Sequence, residues 1–267
     1  MQQVVQHTRL ITGWLVVIVF ARIVGSGLPS HGPPPQINQR QSRENEVEVL
    51  RWSARLKSSD QEARREAAMM LSGLDGDAAV SALVSALTDA SPSVRALVVA
   101  SLGERPDRSV APFVAARLTS DKDPFVRKTA AYALGRFSGT ERTAALAAAL
   151  KDKDLEVRGA AAVSLGDHAD EAAVEPLAAA LSDKSAFVRA QAARGLGVNG
   201  SAASRAVSAL ISLLASDPDV EVKRQAATAL GSMGDRSALP ALERASRDRD
   251  TYLSQTSLDA IRMIGEK

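Results

Sequence analysis

The hydrophobic pattern of the chain is one helical unit repeated about seven times. A segment with the sequence DPFVRKTAAYALG, at residues 123–135, recurs along the chain in near-constant register. Close copies occupy 91–103, 154–166, 185–197 and 219–231, and degenerate copies occupy 60–72 and 250–262. The apolar anchors of these copies are 31 to 34 residues apart, at Ala63, Val94, Val126, Val157, Val188, Val222 and Leu253. A constant period of this length indicates a repeat architecture.

Each copy is predicted to form a helix. Ser or Asp three residues before the anchor can cap its N-terminus, and apolar residues follow at anchor +4, +5 and +8, which is a helical spacing. Glycine at +9 is expected to take the left-handed conformation that ends a helix. A second apolar helix precedes each copy, as in AALAAAL at 144–150.

A helix pair of this kind cannot bury its apolar faces alone, whereas stacked pairs can. The sequence therefore predicts an all-α fold, an α-solenoid of about seven stacked HEAT-type helix pairs over residues 45–267. The degenerate copies at the two ends would cap the stack.

The repeated helix D-x-x-V-R-x-x-A-A-x-A-L-G resembles the HEAT-like repeats of the phycobilisome-lyase type, over about residues 46–265. The resemblance implies that the first helices of the pairs lie on a convex side and the second helices on a concave side. Deoxyhypusine hydroxylase also has HEAT repeats and binds di-iron through repeated His-Glu pairs. This sequence contains no His-Glu pair, so the resemblance does not extend to that activity. Bilin lyase activity does not follow either, because the shared repeat is a signature of the fold.

The N-terminus has a different composition from the repeats. An apolar run, LITGWLVVIVFA at residues 10–21, follows Arg9 and is shorter than the roughly 20 residues of a spanning helix. Residues 1–26 are interpreted as a signal peptide, with an uncleaved membrane anchor as the alternative. Residues 27–44, rich in proline and glutamine, are interpreted as a flexible linker. The repeats are therefore expected to be extracytoplasmic, periplasmic or secreted, with membrane attachment only through the N-terminal segment.

Charge and composition narrow the classes of function. The sequence pI is 9.0, but residues 1–44 carry four arginines and one glutamate, which leaves 29 basic and 30 acidic residues in the repeats. A near-neutral solenoid argues against nucleic acid as a partner. The chain has no cysteine and three histidines. His168 is interpreted as an ordinary loop histidine, and the sequence predicts no catalytic residue, metal or cofactor.

Two charged ladders accompany the repeats. Basic residues follow the anchors directly, and aspartates stand five residues before them. We interpret the ladders as structural ties between neighbouring repeats, with a charged binding stripe as the alternative. The basic ladder comprises Arg64, Arg95, Arg127, Arg158, Arg189 and Lys223, and the acidic ladder comprises Asp89, Asp121, Asp152, Asp183, Asp217 and Asp248.

A partner site is expected on the concave face, from positions +2, +3 and +6, which point away from the apolar stripe. The middle of this row is small and apolar with polar residues on either side, a pattern that suits a groove for a protein or peptide. The alternatives are an enzyme of the bilin-lyase or hydroxylase type and a purely structural spacer. The residues expected to bind the partner are Leu97, Lys128, Tyr132, Val163, Gln191, Arg194 and Arg224.

Overall fold

The structure is a computed structural model that describes residues 39–105 and 108–266. The expected signal or anchor segment and most of the expected linker lie outside the described residues. The described chain is a series of helices: α1 (Gln39–Arg55), α2 (Gln61–Ser72), α3 (Asp77–Ala86), α4 (Pro92–Gly103), α5 (Ala111–Ser120), α6 (Pro124–Leu134), α7 (Thr140–Ala149), α8 (Leu155–Gly166), α9 (Glu171–Ala180), α10 (Ala186–Asn199), α11 (Val207–Ser216), α12 (Val220–Met233), α13 (Leu239–Ala245) and α14 (Thr251–Gly265).

The helices form seven consecutive pairs, and the described residues contain no strand, so the expected all-α solenoid is confirmed. Odd-numbered helices are the first helices of the pairs and even-numbered helices are the second. Successive second helices pack directly against one another, from α2 to α14. Helix α1 already begins at Gln39, so residues 39–44, which the sequence assigned to the linker, are helical.

Aspartate caps start most of the second helices. The side chain of Asp154 accepts hydrogen bonds from the amides of Glu156 and Val157, and Asp219 accepts from two amides of its own first turn in the same way. These bonds satisfy amide groups that have no partner inside the helix. Ser91 and Ser185 also occupy the expected N-cap position of their helices, but their side chains accept no hydrogen bond from the first turn.

One continuous apolar core runs through all seven pairs. The leucine at +8 of the second helix is fully buried in every close copy of the repeat and in the first degenerate copy. Each first helix from α3 onward contributes a leucine buried to the same extent. These core leucines are Leu71, Leu102, Leu134, Leu165, Leu196 and Leu230 from the second helices, and Leu83, Leu118, Leu146, Leu177, Leu210 and Leu242 from the first.

The glycines at +9 have another role than the one expected from the sequence. None of them takes a left-handed conformation; the described residues that do are Gly76, Gly139, Gly200 and Gly234. Each +9 glycine instead lies against the small residue at +7 of the next second helix. A Cβ added to Gly166 would come within 2.7 Å of the Cα of Gly195, and one added to Gly103 within 2.6 Å of the Ala133 Cβ. The glycines therefore allow neighbouring second helices to approach at backbone distance.

The anchor spacing lengthens to 34 residues between the fifth and sixth repeats. Here α10 is longer than most second helices, and a 3-10 segment at Gly200–Ala206 follows it. Asn199 at the end of α10 donates to the Gly195 carbonyl and accepts from the amide of Asp170, the cap residue of α9, so it joins the end of the fifth pair to its start. The helical run Ala186–Ser216 is long and apolar enough for a membrane span, but it consists of α10, the 3-10 segment and α11. Its Leu196 and Leu210 are core residues of the solenoid.

Replacement of Leu165 by alanine should reduce the free energy of unfolding by roughly 2–5 kcal/mol, because the side chain is fully buried between neighbouring repeats. Unfolding should also lose its single transition, since each repeat interacts only with its neighbours. Urea denaturation followed by circular dichroism measures both effects. Leu155→Ala is the matched control, because Leu155 is 42% exposed on the same helix. Equal effects of the two substitutions would contradict the assigned core.

Candidate interaction face of the second helices

The ladder arginines join each repeat to the loop of the next. In five successive repeats the guanidinium donates two hydrogen bonds to the aspartate between the two helices of the following pair. In the central case, Arg158 Nε lies 2.8 Å from Asp183 Oδ2 and Arg158 Nη2 lies 3.1 Å from Asp183 Oδ1. The five pairs are Arg64–Asp89, Arg95–Asp121, Arg127–Asp152, Arg158–Asp183 and Arg189–Asp217, with shortest N–O distances of 2.7 to 2.8 Å.

The same arginines also hold the loop of their own repeat. The Nη1 group of Arg158 donates to the carbonyls of Asp152 and Lys153, and that of Arg127 donates to the carbonyls of Asp121 and Lys122. Each ladder aspartate also accepts from a backbone amide two residues further on, as Asp183 does from Ser185. Both partners of each pair are largely buried and well hydrogen-bonded. The geometry therefore supports a structural tie, and these guanidinium groups are not free to bind a ligand.

The ladder ends at the sixth repeat. Lys223 forms no ion pair with Asp248 within the described part of the chain, although it occupies the position of the arginines. In the last repeat Ser254 replaces the basic residue and donates to the Ser246 carbonyl. Lysine cannot reproduce the two-pronged bond of a guanidinium, which explains why the sixth position departs from the other five.

The pairing shifts the ionisation of both partners. Burial alone would raise the pKa of Asp183, but the hydrogen bonds from Arg158 and the Ser185 amide outweigh it, so the pKa lies below its ordinary value. The hydrogen bond from Arg189 lowers the pKa of Asp217 in the same direction. The pKa of Arg158 is raised by its bond to Asp183. A carboxyl group whose pKa is lowered by folding stabilises the fold above its unfolded pKa of about 3.9 and loses that contribution as the pH falls through the folded pKa.

Replacement of Arg158 by alanine should reduce the free energy of unfolding by about 3 kcal/mol near pH 7, because it leaves Asp183 charged, largely buried and without its ion pair. The difference between wild type and variant should shrink as the pH falls below the unfolded pKa of about 3.9 and through the lowered folded pKa of Asp183. Urea titrations at a series of pH values measure this difference. Arg205→Ala removes an exposed pair with Glu175 and should change stability by at most about 0.5 kcal/mol. A pH-independent difference for Arg158→Ala would contradict the ion-pair assignment.

The second helices expose a common row of side chains, which we call the second-helix face: positions −1, +2, +3 and +6 relative to the anchors of α2, α4, α6, α8, α10, α12 and α14. All seven residues that the sequence assigned to partner binding belong to this face. Tyr132 is 47% exposed, and the others are partly exposed: Leu97, Lys128, Val163, Gln191, Arg194 and Arg224.

The +2 positions of three repeats are not available to a partner. Ala96, Gly159 and Ala190 were expected to point away from the core, but they are buried. On an isolated helix the +2 position faces outward. In the stack, the first turn of the next second helix covers it, as Phe187 covers Gly159. Periodicity within one helix does not reveal this lateral contact.

The structure adds an aromatic set that the sequence reasoning missed. Phe125, Phe187 and Tyr252 stand directly before their anchors at position −1, and they are 56%, 50% and 71% exposed. With Tyr132, these rings place four exposed aromatic side chains on the second helices of repeats 3, 5 and 7. The sequence signal was present, because an aromatic residue in the first turn, just after the cap, lies on the polar side of the helix. It went unused because only positions +2, +3 and +6 were considered.

Two of these rings are held in place by neighbouring repeats. A Cβ at Gly159 would lie 2.5 Å from Cε1 of Phe187, so only glycine lets this ring rest on α8. Arg224 lies over the ring of Tyr252, with 5.7 Å between its Cζ and the ring centroid. Lys128 Nζ lies 5.6 Å from the centroid of Phe125 within the same helix. Cations over aromatic faces at such distances stabilise the arrangement modestly.

The polar residues of the face are tied to one another. Arg194 donates to Gln191 and to Asp167, and Arg224 pairs with Glu221 at 2.5 Å. Lys128 Nζ lies 3.7 Å from the exposed carboxylate of Glu156 in the next repeat. Charges of both signs alternate with aromatic rings, so the face has no single-sign track of the kind that binds phosphate backbones.

His168 lies outside this face, in the loop between α8 and α9. Its Nε2 is 3.2 Å from the carbonyl oxygen of Gly135, at the end of α6 in the preceding repeat. The described residues contain no group of three or more histidine, aspartate or glutamate side chains that could hold a metal ion. His7 and His31 lie outside the described residues.

The chain belongs to the HEAT-repeat family. The family model for HEAT repeats matches overlapping segments at residues 47–135, 80–166, 114–197, 143–212 and 174–262. The sequence matches none of the curated proteins with which it was compared.

Several solved structures resemble the fold. The YibA protein of Escherichia coli is 23% identical, with a TM-score of 0.63 over 85% of this chain and 84% of that one. The CpcE–CpcF complex of phycocyanin lyase from a Nostoc species is 20% identical, with a TM-score of 0.49 over 91% of this chain and 98% of that one. Human deoxyhypusine hydroxylase in complex with glycerol is 21% identical, with a TM-score of 0.43 over 86% of this chain and 100% of that one. Sequence identities of 20% to 23% show that these proteins share the fold with this chain and nothing more.

Proposed function

We propose that the protein is a non-catalytic scaffold that binds a protein or peptide along its second-helix face. The observation that carries this proposal is the set of exposed aromatic rings on that face: Phe125, Tyr132, Phe187 and Tyr252. Aromatic anchors carry much of the binding energy at protein interfaces.

The spacing of the rings suits an elongated partner. Three of them stand at the same position in alternate repeats, so neighbouring rings are separated by two helix–helix spacings, each roughly 8–10 Å. Polar residues between the rings, such as Glu156 and Gln191, can set the orientation of a bound chain. The rings are held on rigid helices, so little conformational entropy is lost when a partner binds.

The alternatives to this proposal have less support. A lyase or hydroxylase of the HEAT-like type needs a chromophore or metal, and the second-helix face presents no histidine. A purely structural spacer needs only the apolar core and the ion-pair ladder. Neither of these requires solvent-exposed aromatic side chains. A cavity of about 350 Å³ beside Arg65, Glu66 and Met69 extends the candidate surface to the first repeat.

Removal of one ring should weaken binding strongly without loss of the fold. Peptides selected from a random display library on the wild-type protein should bind Phe187→Ala and Tyr132→Ala at least about 30-fold more weakly, a loss of roughly 2 kcal/mol. Fluorescence polarisation measures the affinity, and circular dichroism checks that helicity is unchanged.

The matched control is Phe113→Ala. Phe113 is 46% exposed, like the rings of the proposed site, but it lies on the first helix α5. Peptides that bind the second-helix face should be insensitive to its loss. If Phe113→Ala weakens binding and Phe187→Ala does not, the partner uses the first helices and the proposal is wrong.

The location of the protein is proposed to be extracytoplasmic, on the basis of the apolar run at residues 10–21 and the proline-rich stretch that follows it. Expression in cells with an intact secretion pathway should give either a mature N-terminus near Gly27 or a full-length membrane-bound form. Mass spectrometry of soluble and membrane fractions distinguishes the two. A full-length soluble cytoplasmic product would contradict both.

A further inference from the structure

A buried arginine breaks the repeat pattern in the fourth pair. Fifteen residues before the anchor, the first helices from α3 onward carry a small apolar residue, and three of these are fully buried: Ala79, Ala173 and Ala238. The fourth repeat has Arg142 at this position, with a side chain only 3% exposed. Because the other repeats fold with alanine or valine there, the fold itself does not require an arginine.

Arg142 is poorly compensated for a buried charge. Its Nη2 donates to the Ser164 carbonyl, its Nη1 lies 3.9 Å from Asp170 Oδ2, and its Nε has no partner. Asp170 is already engaged, because it accepts from the Thr143 hydroxyl at 2.5 Å and from the Ala172 amide at 3.0 Å. Burial lowers the pKa of Arg142 despite the nearby carboxylates, whereas the pKa values of the five paired ladder arginines are raised. A buried cation of this kind is costly unless something pairs with it.

The arginine lines an open cavity of about 390 Å³ between the loop that follows α6 and the loop that precedes α9. Three further features of the cavity favour an anion. Arg136 and His168 lie on its wall, and the carboxylate of Asp170, which also lines the cavity, already accepts from the Thr143 hydroxyl and the Ala172 amide. Helix α7 begins at this wall, and its cap residue, Gly139, supplies no side chain to the amides of the first turn. Free amides and the positive end of a helix attract oxyanions.

We propose that this cavity binds a small molecule through a phosphate or carboxylate group, with Arg142 as the buried counter-charge. Arg136 already pairs with Glu104, and His168 contacts the Gly135 carbonyl, so both would supply secondary contacts. The volume is in the range of small-molecule sites, and Phe137 and Ala169 give it an apolar wall. The site lies on the loops that connect the repeats, apart from the second-helix face, and it does not depend on the proposed scaffold function.

Thermal unfolding tests the proposal with the full chain. Inorganic phosphate and succinate, each titrated against sodium chloride at matched ionic strength, serve as probes of the two oxyanion classes. At ten times the dissociation constant, the effective probe should raise Tm by about 3–6 °C in a saturable way. Whichever probe acts identifies the group that the site prefers.

Arg142→Ala restores the residue type of the other repeats, so the variant should fold, but it should lose the shift. Arg205→Ala removes one exposed positive charge elsewhere and should keep it. If Arg142→Ala does not fold, the double variant Arg136→Ala/His168→Ala should still reduce the affinity about tenfold. The proposal is overturned if neither probe shifts the wild type, or if Arg142→Ala, or in its place the double variant, responds as the wild type does.

Discussion

The close approach of successive second helices is the constraint on which the rest of this solenoid depends. A glycine at +9 of one repeat meets a small residue at +7 of the next, and at Gly166 and Gly195 the two backbones are in contact. This spacing brings five of the loop aspartates within reach of the arginine of the preceding repeat, so that short two-pronged ion pairs form. The stacking also buries the +2 position of three second helices, as where Phe187 of the next repeat covers Gly159, and removes those residues from the exposed part of the second-helix face. Larger residues at +7 or +9 would therefore disturb the ladder and the face together.

The sequence was sufficient to predict most of the fold because each feature of the repeat appears several times. The anchors at Val126 and Val157 and the leucines at Leu134 and Leu165 are all fully buried, as the helical spacing indicated. The errors concern contacts between helices. The +9 glycines were predicted to end helices because glycine favours left-handed turns. Their φ angles are negative, and they instead allow close packing between neighbouring second helices. A pattern within one helix records which side is apolar, and it does not record how near the neighbouring helix lies.

The candidate face was predicted in part for the same reason. Tyr132 and the polar residues around it were found because +3 and +6 face away from the core in most of the second helices, although Ala160 at +3 of the fourth repeat is buried. Phe125 and Phe187 were missed because position −1 was not considered, and Ala190 was included although the stack buries it. The face is thus formed by two adjacent repeats at every point. Which of its side chains are exposed depends on the neighbouring repeat and cannot be predicted from the sequence of a single copy.

Comparison of the repeats also distinguishes the residues that the fold requires from those that it does not. Each structural position occurs about seven times in this chain, in nearly the same surroundings, so a residue type shared by all copies reflects packing. Position −1 carries glutamate, serine or an aromatic residue, and repeats with each of these residue types adopt the same fold. Gly159 is a costly residue in the interior of α8, yet it is where the ring of Phe187 rests. Arg142 is a costly charge where alanine suffices elsewhere. Departures from the common residue type that cost stability point to demands that the other repeats do not share, and in this chain they occur at Gly159 under the ring of Phe187 and at Arg142 beside the cavity.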